Sequence, residues 1–268
     1  MQTGYTGVKN MNESIGWIGG GRVARILLSG WKEAGMTLEN IVVSDPDGMA
    51  LDRIIQDYPG VSVIKDGDAV AAGQDLVFLA IPPAAAETVL PAIKPVLKPG
   101  TIVISTIPGL SVDQTSRMLG GFDRIVRIIP NAPSMIGSGY TPVFFPPSFL
   151  RQDSEPVEYL MESISHIIDV QEEHLEAYAV ISAMGPACLW FQLYELVAIA
   201  ESMGISRELA SDAVCKMAEG AVQMMTWSTL SPSQMMDLVP VHPLAEDEAA
   251  IREIYWKRLP DLHKRLKG

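Results

Sequence analysis

Cysteine is nearly absent from this chain. Its 268 residues include two, Cys188 and Cys215, too few for a disulfide framework. Both lie in apolar, helix-like stretches, where buried free thiols in a reducing cytoplasm are the plain expectation. Basic charge is also scarce: 20 Lys and Arg face 32 Asp and Glu, a formal net charge of −12. That argues against nucleic acid or an anionic membrane as the main partner, while leaving room for a local basic pocket around a phosphate. No unbroken apolar run reaches the ~18 residues expected of a membrane span. The polar, glycine-containing opening residues lack the charged start and apolar core of a signal peptide. Metal-ligand spacing is missing as well. His242 and Glu246 are four residues apart, but Pro243 lies between them and no third ligand accompanies them, so no metal is expected. No Ser-His-Asp set is present.

What the chain has is apolar bulk, 48% hydrophobic against 19% charged residues, enough for a sizeable core. The first half alternates strand-like runs with helix-length segments. Strands are predicted at Ser14–Ile18, Asn40–Ser44, Asp75–Ile81, Thr101–Ser105 and Arg124–Ile129, with a helix from about Gly21 to Ala34. The third run is apolar between its ends, as a strand buried on both faces should be. Such spacing means βαβ units and a parallel sheet covered by helices. Tyr140–Phe145 and Ile167–Val170 read as later strands at its far edge. After Val170 strand signals stop. Glu172–Gly204 reads as helix interrupted at Gly185-Pro186, and Ser206 can cap a second helix running to about Ser228. A proline-bearing stretch, Ser231–Pro243, leads to a last helix ending near Lys267. Ala187–Ala200 is apolar nearly all round and needs more cover than a small helical domain provides, so a subunit interface is expected there.

One glycine-rich segment carries chemistry. Gly16-Trp-Ile-Gly19-Gly20-Gly21-Arg22-Val23-Ala24 contains G-x-G-x-x-A at Gly19, Gly21 and Ala24, directly after a predicted strand and opening a helix. Gly19 allows the tight turn, Gly21 leaves room for a pyrophosphate, and Ala24 lets helix and strand approach, while free N–H groups at the helix start face the phosphates. The alternative is a glycine turn that binds nothing. The second strand ends at Ser44-Asp45-Pro46-Asp47. There Asp45 either accepts from the adenosine ribose hydroxyls, a lean toward NAD over NADP, or starts a turn with Pro46. Arg22 is an alternative source of charge for a phosphate. The fold expected is α/β: a Rossmann-type doubly wound, mostly parallel sheet over residues 1–171, followed by an all-helical substrate and dimerisation domain over 172–268. Residues 1–13 read as a loose extension in which Met11 offers a second start.

From Ile15 onward the chain resembles the pyrroline-5-carboxylate reductase family. Ile15–Ala24 corresponds to the family's Ile-Gly-Phe-Ile-Gly-Ala-Gly-Asn-Met-Ala opening, with Arg22-Val23 in place of Asn-Met. Ile81-Pro82-Pro83 replaces Val-Lys-Pro, and Ile104–Gly109 matches the fourth strand and turn. The most specific match is Arg127-Ile-Ile-Pro-Asn131-Ala-Pro133, close to Arg-Val-Met-Pro-Asn-Thr-Pro. Ser182, Gly185, Pro186 and Ala187 are kept from Ser-Gly-Ser-Gly-Pro-Ala-Tyr. The resemblance implies hydride transfer from NAD(P)H to the C=N bond of a cyclic imino acid. It implies cofactor contacts at Gly19, Gly20, Gly21, Arg22, Val23, Ala24, Ser44, Asp45, Pro46, Ala80, Ile81, Pro82, Pro83 and Asn131. It also implies that the Ser182–Ala187 turn holds the substrate carboxylate. A helix restarting after Gly185-Pro186 offers unpaired donors and a positive dipole end suited to that role. The alternative is a restart that is only structural.

The departures fall in the substrate half. Ala183 and Met184 replace Gly-Ser, Ala179 a threonine and Cys188 a tyrosine. Val239–Glu246 takes the place of a Ser-Pro-Gly-Gly-Thr-Thr segment, and with it comes His242, either placed to act on substrate or exposed on a loop. Each lost hydrogen bond to a charged partner is worth roughly 1.5–3 kcal/mol. The expectation is an NAD(P)-dependent reductase of this type with an altered substrate site at Ser182, Met184, Gly185, Pro186 and His242, acting on a small imino or keto acid. Two alternatives stay open: an authentic pyrroline-5-carboxylate reductase of proline biosynthesis, and a catalytically silent dinucleotide-binding protein. A cytoplasmic homodimer or higher oligomer, formed through the C-terminal helices, completes the expectation.

Overall fold

Ile15, Trp17 and Ile18 are followed by glycines, and their side chains alternate between two apolar layers, which only a strand covered on both faces permits. A computed structural model of the chain describes residues 13–267. The expected N-terminal extension lies, apart from Glu13, outside the described residues. Eight strands form one sheet: β1 (Ile15–Ile18), β2 (Ile41–Asp45), β3 (Ser62–Lys65), β4 (Leu76–Leu79), β5 (Ile102–Ser105), β6 (Ile125–Ile128), β7 (Gly139–Phe144) and β8 (Ser165–Asp169). Their order is β3-β2-β1-β4-β5-β6-β7-β8, and every pairing is parallel except β6 with β7. Its first six strands have the 3-2-1-4-5-6 order of the Rossmann fold. β3 was not anticipated. Ser62-Val-Ile-Lys65 has both ends exposed at the sheet margin, and its two central apolar residues give too little periodicity to register.

Helices α1 (Arg22–Glu33), α2 (Gly48–Asp57), α3 (Asp68–Ala72), α4 (Pro83–Ile93), α5 (Val112–Met118) and α6 (Arg151–Glu162) alternate with the strands. Two separate cores result. One gathers Trp17, Leu27, Trp31 and Phe78, with the Trp17 and Phe78 rings stacked at 4.3 Å between centroids. The other gathers Ile18, Val77, Leu79, Leu90 and Ile93. The period-2 split of β1 and β4 between these clusters places them on opposite faces of the sheet.

After β8 the chain is helical: α7 (Leu175–Tyr178), a π-helical turn at Ala179–Ala183, α8 (Gly185–Ser202), α9 (Arg207–Trp227), α10 (Pro232–Asp237) and α11 (Glu248–Lys267). Ser206 caps α9 by accepting from Leu209 N. The stretch read as a proline-bearing connection contains α10, started by a reciprocal Ser231–Gln234 capping box. Two compact units emerge, one reaching to Ala183 and taking in α11 from His263, the other spanning Met184–Leu262. Leu175 and Ala179 belong to the first because they are buried with Ile129. Within the second, Val197 of α8 packs with Ala210 and Val214 of α9. Within Glu172–Ser202 an 18-residue window has a mean hydropathy of 1.3, long and apolar enough by composition to cross a membrane, with 6% of that window buried. Small and polar residues interrupt it, so it holds no unbroken apolar run of that length.

Candidate functional site

The glycine turn is built by close approach. At Gly19 the backbone turns at φ +103°, and an added Cβ would lie 2.4 Å from the Ala80 carbonyl oxygen. Its N–H donates to Ser44 O at 2.8 Å, joining the turn to β2. A Cβ added at Gly20 would meet Ile54 at 3.1 Å and Asp45 and Val43 at 3.4 Å. Over Gly21, in contrast, there is open space, with nothing within 4 Å of where a Cβ would stand. Gly21 is the N-cap of α1, without a side-chain cap and with no acidic residue in the first turn. A 12-residue helix therefore opens with donors that no side chain covers, and its dipole favours an anion. Arg22 is exposed beside it, Val23 is half-buried and Ala24 is buried against the sheet. This arrangement suits a pyrophosphate.

Ala80, Ile81, Pro82 and Pro83 follow β4, the neighbour of β1 on the side away from β2. Pro82 is the N-cap and Pro83 the first residue of α4, positions at which proline's missing N–H costs nothing. The segments after β1, β2 and β4 thus meet at the carboxyl ends of adjoining strands, where the strand order reverses.

The residues after β2 divide their work. Asp45 is half-buried and accepts from Gly20 N through Oδ2 at 2.7 Å and from Asp47 N through Oδ1 at 2.7 Å. Both expected roles are structurally open to it, because it initiates the turn at Pro46 while each oxygen keeps a free lone pair. Pro46 is exposed. Ser44 is fully buried, its hydroxyl donating to Asp68 Oδ1 and accepting from Gly67 N at 3.0 Å.

Asn131, just past β6, is buried and its amide is engaged at both ends. Oδ1 accepts from Tyr140 N at 2.9 Å and Nδ2 donates to Ser182 O at 3.2 Å. It therefore holds the end of the π-helical turn. Ser182 turns its hydroxyl back onto Tyr178 O at 2.7 Å. Met184, the N-cap of α8, provides no side-chain cap and is partly exposed, and Gly185-Pro186 form the first α8 residues. His242 is exposed and its Nε2 lies 3.1 Å from Met236 O. Among the described residues no group of three or more His, Cys, Asp or Glu could hold a metal ion.

Sequence reasoning missed a buried ion network. Arg127 in β6 reaches Glu176 at 2.7 Å and Glu172 at 3.2 Å. Glu176 also accepts from Gly109 N, and Glu172 from Val112 N. Burial alone would raise the Glu176 pKa, but the Arg127 hydrogen bond and charge, with Gly109 N–H, outweigh it and hold the carboxyl below its ordinary value. An arginine inside an otherwise apolar strand was the available signal, since such a charge requires buried partners. A cleft of about 460 Å³ opens beside this network, lined by Gly109, Ser111 and Gln114 among others. It shares no residue with the glycine turn, and its buried arginine is already matched by carboxylates.

Residues 14–109 match the family model described as NADP oxidoreductase coenzyme F420-dependent. Residues 172–253 match the model for pyrroline-5-carboxylate reductase dimerisation. The pyrroline-5-carboxylate reductase of Pseudomonas aeruginosa is 27% identical over 239 residues, covering 89% of this chain and 87% of the relative. That of Corynebacterium melassecola is 28% identical over 247 residues, 90% of each chain. Among solved structures, a pyrroline-5-carboxylate reductase from Coxiella burnetii superposes with a TM-score of 0.73 at 28% identity, over 96% of this chain and 98% of its own. The NADP-bound pyrroline carboxylate reductase of Plasmodium falciparum has the same fold, with a TM-score of 0.84 at 23% identity over 97% of this chain and 98% of that one. With the glycine-turn half and the helical half each matched, and relatives aligned along nine-tenths of its length, the chain is an NAD(P)-dependent oxidoreductase similar to the pyrroline-5-carboxylate reductases.

Proposed function

We propose that the protein reduces the C=N bond of a small, cyclic imino acid with NAD(P)H, through a substrate site altered from the family pattern. The observation that carries the cofactor half is the open space over Gly21 at the uncapped start of α1, where free backbone donors and the helix dipole suit a pyrophosphate. In this reading Gly19–Ala24 hold the diphosphate, Asp45 and Pro46 border the adenosine ribose, and Ala80–Pro83 border the cofactor from the β4 side. Ser44 acts through its backbone and Asn131 by fixing Ser182, since their side chains are committed elsewhere. The bound dinucleotide supplies the hydride. An iminium nitrogen already carries a proton near neutral pH, so positioning matters more than a dedicated acid.

The substrate carboxylate is assigned to the start of α8 at Ser182–Pro186. Here Met184 supplies no cap and the Ser182 hydroxyl donates to its own helix, so recognition rests on backbone N–H groups. His242 is kept as a candidate contact from the rewritten 239–246 segment. The apolar residues exposed on α8 support a homo-oligomer, and the two free cysteines fit a reducing cytoplasm.

Reduced-nicotinamide oxidation measured with pyrroline-5-carboxylate, a six-membered cyclic imino acid and small keto acids tests the reading. Turnover of a cyclic imino acid is expected, with KM for pyrroline-5-carboxylate raised by the missing hydroxyl donors. Turnover of pyrroline-5-carboxylate with a low KM would show that the departures leave the substrate unchanged. Tight cofactor binding without turnover of any of these substrates would overturn the catalytic reading.

A further inference from the structure

We infer that Arg127, with Glu176 and Glu172, is a positioning residue for the proposed reduction: the three side chains fix the backbone of the loop after β5, and through that loop the reacting end of the cofactor. The inference rests on the reduction proposed above and deepens it.

Among the described residues Arg127 is the one charged side chain buried within a strand, at 2% exposure. Its charge is balanced by Glu176 at 2.7 Å and Glu172 at 3.2 Å. For stability alone such a group is a poor device, because apolar side chains of similar volume fill the same space at little or no cost. What they cannot offer is direction. Arg127 Nη2 donates to Ile107 O at 3.4 Å, Glu176 accepts from Gly109 N at 3.1 Å, and Glu172 accepts from Val112 N at 2.6 Å. All three bonds reach backbone groups between residues 107 and 112, so they set the path of that loop independently of its side chains.

The loop is also held where it leaves β5. Thr106 donates twice to Leu79 O, from its N–H and from Oγ1, each at 3.0 Å, and Leu79 is the last residue of β4. At Gly109 the backbone turns at φ +72°, and an added Cβ would lie 2.3 Å from Leu266 O. The segment is therefore bonded to the end of β4, then pinned at Ile107, Gly109 and Val112, with Leu266 pressed against its bend.

Its place in the sheet gives these tethers a function. A doubly wound sheet takes one half of a dinucleotide on each side of the point where the strand order reverses. Here β1, β2 and β3 form one side, and β4, β5 and β6 the other. With the adenosine ribose at the end of β2, the nicotinamide half falls to the second side, where the loop after β5 is the next segment beyond Ala80–Pro83. Hydride transfer depends steeply on distance and alignment, and a misplacement of about 1 Å costs on the order of 100-fold in rate. A loop released from its tethers would lose that alignment while leaving the contacts to diphosphate and adenosine intact. Neither Arg127 nor the glutamates need touch the cofactor.

The test compares the wild-type full chain with two variants. Arg127→Met/Glu176→Met replaces the buried pair by apolar side chains of similar length. Glu172→Ala removes a side chain that is 26% exposed and leaves that pair in place. Three quantities are measured: amide exchange in the ligand-free protein, NADH binding followed by nicotinamide fluorescence, and turnover of the cyclic imino acid that the wild type reduces. In the double variant, exchange at Gly109 should rise at least about tenfold relative to β1, and the NADH dissociation constant should stay within about threefold. The fluorescence gain of bound NADH should fall toward that of free NADH, and kcat should drop at least about tenfold. Glu172→Ala releases Val112 alone and should show the same pattern more weakly, which decides the matter if the double variant does not fold. Wild-type kcat and bound-state fluorescence in a folded variant with faster loop exchange overturn the inference. So does a fall in kcat with exchange at Gly109 and Val112 unchanged, or one matched by an equal loss of NADH affinity. If the wild type binds NADH but reduces no imino or keto acid, the proposed reaction fails, while exchange and bound-state fluorescence still decide whether the network orders the nicotinamide end. If NADH does not bind the folded wild type, the dinucleotide reading fails and the inference with it.

Discussion

Gly19 and Gly21 lie two residues apart and answer to different constraints. At Gly19 the positive φ and the Ala80 carbonyl exclude any side chain. Gly19→Ala should therefore destabilise the protein by more than about 2 kcal/mol, through backbone strain and a clash. Over Gly21 the protein places nothing, so Gly21→Ala should leave the melting temperature of the ligand-free protein within about 2 °C of wild type. Its cost should fall on the ligand, with NADH affinity reduced roughly tenfold or more. Melting curves and fluorescence titrations of the two variants check both outcomes, and a Gly21→Ala protein with wild-type affinity would empty the cradle of its assigned role. Both glycines were legible because a turn is a local event between a strand and a helix. The Asp45 tether was not, since it joins backbone 25 residues away and no local pattern encodes which hydrogen bond a carboxylate will choose. Glu176 was less legible still. Held below its ordinary value of 4.5, it contributes stability that is complete above that value and is lost as pH falls through its folded-state pKa. Glu176→Gln is expected to cost about 1–3 kcal/mol at pH 7 because it weakens the partnership of a buried guanidinium. The gap to wild type should close as the pH is lowered into the acid range, where the wild-type carboxyl is itself neutral. Urea unfolding at a series of pH values measures it; a gap independent of pH would assign the loss to packing.

At the scale of elements, strands buried at every position and long helices were readable, while partly exposed strands, short helices and strained elements were not. β1, β4, β5 and β6 are buried at every position, so composition alone marks them. The π-helical turn at Ala179–Ala183 leaves no such trace. Its sequence, Ala-Val-Ile-Ser-Ala, is compatible with an ordinary helix, and its wider turn coincides with an external clamp, the Asn131 amide on Ser182 O. The clamp also reaches Tyr140 N at the start of β7. Asn131→Ala would leave a buried N–H and a carbonyl without their partner, at a cost of about 1–3 kcal/mol. Faster amide hydrogen exchange at Tyr140 and through residues 179–184 should accompany that loss, with exchange in β1 and β4 unchanged apart from the lower global stability. Uniform acceleration across the sheet would instead make Asn131 a general contributor to stability, with no special hold on the turn that precedes α8.

At the scale of the whole molecule the unresolved demand is cover for apolar surface. α8 has 18 residues, of which Val197 alone is buried, and it exposes Leu189, Trp190, Phe191, Tyr194, Leu196 and Ile199. Its charged residues are Glu195 and Glu201, so the helix cannot rest stably in water with that face bare. A net charge of −12 on each copy opposes association at long range, so a homo-oligomer would depend on burial of these side chains rather than on charge pairing. The match of residues 172–253 to a dimerisation model agrees with the expectation drawn from the sequence, where a helix apolar nearly all round already called for a second subunit. Sedimentation at micromolar concentration should give at least twice the chain mass of 29.1 kDa. Phe191→Glu places a charge on a side chain 66% exposed in the single chain, so within one copy it should be nearly neutral. At an interface it would bury an unpaired carboxylate, shift the equilibrium toward monomer, and make the melting temperature strongly dependent on concentration. A Phe191→Glu protein with the wild-type sedimentation coefficient would move the interface off this face of α8, and a monomeric wild type would leave the helix needing a different partner.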